Sequence, residues 1–169
     1  MTLSMYQASV PAMLHTLAAL SAILDKAEAH CAAKKIDQAV LLGARLYPDM
    51  FALTRQVLIV CDFAKGTSAR LAGIDVPSWP DNEATFADVK ARIAKTVEFV
   101  KAIKPASIEG SEARDISMKV GGQEMKWNGQ DYLTGFALPN FYFHAATAYG
   151  ILRHNGVELG KRDFLGAAG

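Results

Sequence analysis

Residues 138–153 read L-P-N-F-Y-F-H-A-A-T-A-Y-G-I-L-R. The run is almost wholly apolar and aromatic, yet it carries Asn140, His144 and Thr147 at steps of four and three, which on a helix fall on one face. A helix that is apolar on most sides is buried, and a polar stripe on a buried helix marks a candidate site. Just upstream, residues 132–136 extend the helical pattern. Pro139 therefore predicts either a kink or the true helix start after an irregular first turn. Downstream, Asn155-Gly156 closes the helix as a left-handed cap. The tail reads as irregular, with Phe164 and Leu165 as anchors and Lys161, Arg162 and Asp163 as exposed charges.

The one β-like segment precedes that helix: D-I-S-M-K-V-G-G-Q-E-M-K-W at 115–127. A two-residue turn at Gly121-Gly122 pairs Val120 with Gln123, Met118 with Met125 and Ile116 with Trp127, putting the large apolar residues on one side of a hairpin. N-G-Q-D at 128–131 then turns the chain. Further back, Thr85 and Asp88 form a cap, and Phe86, Val89, Ile93, Val97, Val100 and Ile103 trace the apolar face of an outer helix that Pro105 stops. Lys90, Arg92, Lys95, Glu98 and Lys101 form its solvated face, and V-P-S-W-P-D-N within 74–82 is a loop.

Residues 48–71 read as a strong helix, with Pro48 and Asp49 in its first turn and Gly73 closing it. Its middle, Val57 to Cys61, is apolar on every side, which places it in the centre of a bundle or in a subunit interface. Asp49, Gln56 and Phe63 share a stripe, with Arg55 and Asp62 on adjoining faces, so Gln56 is the polar residue best placed to look inward. A connector at 36–46 holds a short turn opened by Asp37. The first helix covers 4–34, with Val10, Met13, Leu17, Leu20 and Leu24 on its core face. It starts either at a Ser4/Gln7 capping box or near Ser9, beyond which Pro11 would cost no interior bond. His15 reads as a surface or packing residue. Four long helical segments and a hairpin before the last describe an all-α four-helix bundle, one domain over 1–169.

Bulk properties narrow the function. The 169 residues suffice for one real core, and 18 Lys and Arg against 17 Asp and Glu give a formal charge of +1. No basic block stands out, which argues against nucleic acid or an anionic membrane as partner. Cys31 and Cys61 lack metal or redox spacing and read as buried thiols in a reducing cytosol. No signal-peptide pattern opens the chain and no uninterrupted apolar run approaches the ~18 residues of a membrane span, so the expected location is cytoplasmic. The apolar helices exceed what one small bundle hides, which predicts a homodimer.

Three stretches carry a family resemblance: P-D-M-F-A-L-T-R-Q-V-L-I-V-C-D-F-A-K-G, A-L-P-N-F-Y-F-H-A-A-T-A-Y-G-I-L-R-H-N-G-V and G-K-R-D-F-L-G. Together they resemble an uncharacterised domain-of-unknown-function family within the DinB/YfiT-like superfamily, and the likeness covers essentially the whole chain. It implies a DinB-like four-helix bundle, often dimeric. It also implies a divalent metal such as zinc or nickel on three histidines, one from the second long helix and two, four residues apart, from the last. Thiol-transferase-like or hydrolase-like chemistry on a small molecule goes with it. His144, followed by Leu152-Arg153, is similar in spacing to the last metal histidine of that superfamily.

The other two ligands have no histidine here. Four residues before His144 stands Asn140, and the second long helix holds no histidine; Gln56 is the nearest substitute. Amide oxygens are weak donors for ions that favour nitrogen and sulfur, so this set favours no bound metal. Three readings follow. His144 is satisfied by Asn140, Gln56 or a buried water and fixes helix register; or it faces a metal-free small-molecule pocket; or it ligates a metal. Tyr142 shares the neighbouring face with Tyr149 and could line a pocket, core or interface, and Asp62 could orient a ligand. As an enzyme, the protein would use His144 as ligand or general base; as a module without metal, it would bind a small molecule or dimerise.

Overall fold

The computed structural model describes residues 3–166. The Ser4/Gln7 capping box forms and opens α1 (Met5–Lys34). Pro11 stands inside this helix. Both Pro11 and Gln7, whose carbonyl loses its amide partner, are exposed, so water can replace that bond. By length and composition α1 is apolar enough to cross a membrane, although polar residues interrupt every apolar run within it. Half of that apolar stretch is buried inside the bundle. Asp37 caps the short α2 (Gln38–Leu42) through the Ala39 N–H, as expected.

The central helix, α3 (Leu53–Ala72), starts later than Pro48. Pro48 instead presets the corner of a turn closed by the Met50 N–H on the Tyr47 carbonyl at 3.0 Å, a role its fixed φ serves as well as a helix start. Asp49 is thereby removed from the stripe of Gln56 and Phe63. The Leu53 N–H bonds back to the Ala44 carbonyl at 2.9 Å. Leu53, Val57, Leu58, Val60, Cys61 and Ala64 are all buried, because α7, α4 and α1 each pack against α3.

α4 (Phe86–Ala102) begins at the Thr85/Asp88 box. Ile103 already leaves the helix in an extended conformation, Lys104 is extended as a residue before proline tends to be, and Pro105 then opens a second short helix, α5 (Pro105–Ile108), whose Ile108 is fully buried. Arg92 departs from the expected solvated face: its side chain is 2% exposed, because the 74–85 loop folds over it. The hairpin β1 (Ile116–Val120) and β2 (Gln123–Trp127) has the expected register throughout. Gly121 and Gly122, at φ 57° and 85°, supply the two left-handed positions of its turn.

Three elements then form one continuous rod: α6 (Gly129–Asp131), a π-helical segment (Tyr132–Ala137) and α7 (Leu138–His154). Of the two expectations for Pro139, the second holds: α7 starts at Leu138 with the proline in its first turn. The wider turn carries the Leu138 N–H to the Leu133 carbonyl, so the rod continues where proline offers no donor. The tail is not irregular. Lys161–Leu165 forms α8, in which Phe164 packs edge-on against Tyr149 while Leu165 stays 54% exposed, and Asp163 pairs with Lys26 at 2.6 Å.

Candidate functional site

On α7 the buried residues Phe141, Ala145, Ala148, Ile151 and Leu152 form the stripe laid against the core, and His144 lies on the flank of that stripe. Directly across, Gln56 in the first turns of α3 is 1% exposed. Both ends of its amide are engaged: Nε2 donates to the Phe51 carbonyl at 3.1 Å, and Oε1 faces His144 Nδ1 at 2.6 Å. With the amide oriented by Phe51, Oε1 can only accept, so Nδ1 carries the proton and Nε2 keeps its lone pair. The ring is held flat against Phe63, 6.2 Å between centroids at 18°, and edge-on by Phe143 at 5.2 Å. Burial first, and the Arg55 charge second, lower the His144 pKa. The imidazole is therefore neutral at neutral pH.

The other residues of the predicted stripe do not reach across. Asn140 Nδ2 donates back to the Phe136 carbonyl at 2.8 Å and Thr147 Oγ1 to the Phe143 carbonyl at 2.7 Å, both within their own rod. Tyr142 is 38% exposed and lies edge-on to Phe141. Asp62 is half-buried and accepts from Lys65 Nζ at 2.7 Å. Of the sequence candidates, the structure thus brings together Gln56 and His144. It sets Asp62 on the next face of α3, beside Phe63.

That face opens into a cleft of about 350 Å3 between α3, the 74–85 loop and the hairpin, lined by Asp62, Phe63, Lys65, Arg70, Trp79 and Met118 among others. Phe63 is the shared wall between the cleft and His144. Sequence reasoning passed over Lys65, Arg70 and Trp79. One signal was present: Lys65 is the one long, charged side chain in the stretch Ala64 to Ala69, which is otherwise made of small residues. Trp79 owes its place to Lys65 and Lys95, whose ammonium groups each stand 4.5 Å from its ring, and to Arg92 at 5.5 Å.

The donor set does not fit the metal that the DinB resemblance implies. Gln56 Oε1 is spent on the His144 Nδ1–H, and Asn140 offers one amide oxygen. Among the described residues no three His, Cys, Asp or Glu side chains stand together as ligands. Neither cysteine is poised as a nucleophile: Cys31 is buried and burial raises its pKa. Cys61 is fully buried and its pKa is pushed by burial up to about 12.

Residues 5–165 match the family described as Domain of unknown function (DUF1993). The chain is also similar to the crystal structure of a DinB family member protein from Shewanella denitrificans. The two are 42% identical over 96% of this chain and 92% of that one, with a TM-score of 0.86. Among curated proteins none matches. With a family match over nearly its whole length and a bundle superposing on a DinB family member, the chain belongs to the DUF1993 family of the DinB-like superfamily.

Proposed function

We propose that this protein processes a small molecule at a metal-free site in which His144 Nε2 is the proton acceptor. One observation carries the reading: the 2.6 Å contact of His144 Nδ1 with Gln56 Oε1, which holds the ring in one orientation and one tautomer, with its basic nitrogen uncommitted among the described residues. A group X–H on the ligand gives its proton to Nε2, the imidazolium keeps its Nδ1–H on Gln56, and the proton returns to the product. Gln56 is neutral, so it stabilises that imidazolium less than a carboxylate would. The lowered His144 pKa makes the base available at neutral pH but weak. Such a base suits an already acidic X–H, of which a thiol is the simplest class.

The test uses untagged protein, with elemental analysis and nitrogen NMR of the histidine rings. The expected outcome is substoichiometric transition metal and a His144 signal of the Nδ1–H tautomer that chelator treatment leaves unchanged. One zinc or nickel per chain, lost in His144→Ala, overturns the proposal in favour of a metal centre.

A further inference from the structure

We propose that the cleft beside His144 binds a small, flat organic carboxylate, with Arg70 and Lys65 holding the anion and Trp79 and Phe63 holding the body. The inference names a ligand class for the site proposed above, and it rests on that reading only for the ligand's reacting end. The anion clamp belongs to α3 alone.

Lys65 is 5% exposed, a burial that an ammonium group tolerates only when it is paired. Its Nζ has one carboxylate partner, Asp62, and otherwise faces the ring of Trp79. An ammonium has three donors, so donor capacity remains at the cleft wall. Arg70 spends Nη1 on the Tyr132 hydroxyl at 3.2 Å and lies 5.9 Å from that ring, leaving most of its five N–H groups without a protein acceptor among the described residues. Gly66 makes this placement possible: a Cβ there would stand 2.5 Å from Arg70 Nη1. A glycine in the interior of a buried helix is unfavourable, and here the space it leaves is filled by a guanidinium.

The charge around the cleft favours an anion. Asp81 is already paired with Arg55 and Arg92, and Glu83 with Arg92. Of the charged side chains that line the cleft, Lys65 and Arg70 stand against Asp62 and Asp81; Asp62 is spent on Lys65 and Asp81 on its two arginines, so among the described residues Arg70 is the lining cation without a carboxylate partner. The remaining walls are flat or soft, Phe63, Trp79 and Met118. At about 350 Å3 the cleft lies at the small end of ligand pockets, which suits a single-ring compound. Phe63 and Arg70 are seven residues apart on α3, roughly 10 Å along its axis, so a carboxylate on Arg70 leaves the other end of such a ligand against Phe63, the ring on which the His144 imidazole stacks.

The experiment is calorimetric titration of the full chain with benzoate, phenylacetate, cinnamate and indole-3-acetate, each beside its uncharged amide. At least one carboxylate is expected to bind at least about tenfold tighter than its amide, the worth of a charge-assisted hydrogen bond. Arg70→Gln is expected to remove that difference. Gly66→Ala keeps every charge and favours the helix, so its fold is secure, yet its Cβ displaces the guanidinium and is expected to weaken the carboxylate at least several-fold. Binding that persists in His144→Gln separates the clamp from the base. The inference is overturned if no carboxylate binds below 10 mM, if acid and amide bind equally, or if Arg70→Gln and Gly66→Ala bind like the parent. Those results leave the His144 reading standing, because its test is the tautomer and the metal content.

Discussion

Replacing Gln56 tests the contact on which the site depends, and two substitutions of similar size are expected to act in opposite directions. Gln56→Leu fills the same space at a position 1% exposed but removes both hydrogen bonds of the amide. The Phe51 carbonyl belongs to a residue that is 54% exposed and can turn to water. His144 Nδ1 points at the 1% exposed position of residue 56 and loses its partner there. The cost is that of one ring nitrogen left unpaired, about 1–3 kcal/mol. For a chain of this size that is a fall in Tm of about 2–4 °C per kcal/mol. The imidazole, freed from its acceptor, is expected to populate its other tautomer, visible by nitrogen NMR. Gln56→Glu keeps an acceptor opposite Nδ1 and makes it negative, so the imidazolium is favoured and the His144 pKa rises above its present lowered position. The assay is the NMR titration of His144 in the three proteins together with their thermal melts. If Gln56→Leu retains the Nδ1–H tautomer and melts with the parent, or if Gln56→Glu leaves the His144 titration where it is, the Gln56 lock does not exist.

Three further outcomes follow from the same geometry. Gly129→Ala would place a Cβ 1.9 Å from the Ser111 carbonyl oxygen, where backbone has to move; about 1–3 kcal/mol of stability is expected to disappear, measured by calorimetric melting. Arg92→Ala strands Glu83, whose side chain is 9% exposed, and is expected to cost about 3–5 kcal/mol in urea unfolding, partly recovered in the double variant Arg92→Met/Glu83→Gln. The lowered His144 pKa means that the unfolded chain binds the extra proton more readily. Its contribution to stability is therefore complete above the ordinary histidine pKa of about 6.5 and is lost as pH falls through the folded-state value. Melts of the parent and His144→Gln between about pH 5 and 7 are expected to diverge in slope, the parent losing more stability toward the acid end; parallel slopes refute the linkage.

The parts of this fold that were legible in the sequence are those where local chemistry and tertiary packing ask for the same thing. The Thr85/Asp88 box is a local hydrogen-bond pair and stands as read, and of the two starts left open for the first helix the Ser4/Gln7 box is the one that forms. The hairpin register follows from Gly121-Gly122 and the alternation around it, and every pair agrees. The misreadings lie where a residue has two uses. Pro48 suits a helix start and a turn equally, and the Leu53 bond to Ala44, a contact across the connector, chose the turn. Arg92 has the spacing of a solvated face, and only the fold of the Pro-rich loop over α4 turns it into a buried ion-pair centre.

The same division separates the two halves of the site. Gln56 and His144 were visible because each is a polar residue in an apolar helix, and burying two apolar helices against each other forces their few polar groups to meet. Asn140 and Thr147 obey the same periodicity but are short enough to bond their own helix one turn back, an alternative that the longer histidine side chain lacks. The cleft was invisible for a different reason: its walls come from α3, a loop and a hairpin strand, and no periodicity links Lys65, Trp79 and Met118. What brings the cations together is the loop: Lys65, Lys95 and Arg92 stand around one indole ring, Lys65 also paired with Asp62 and Arg92 with Asp81 and Glu83, a cluster created by where Trp79 is placed rather than by composition in a protein whose formal charge is only +1.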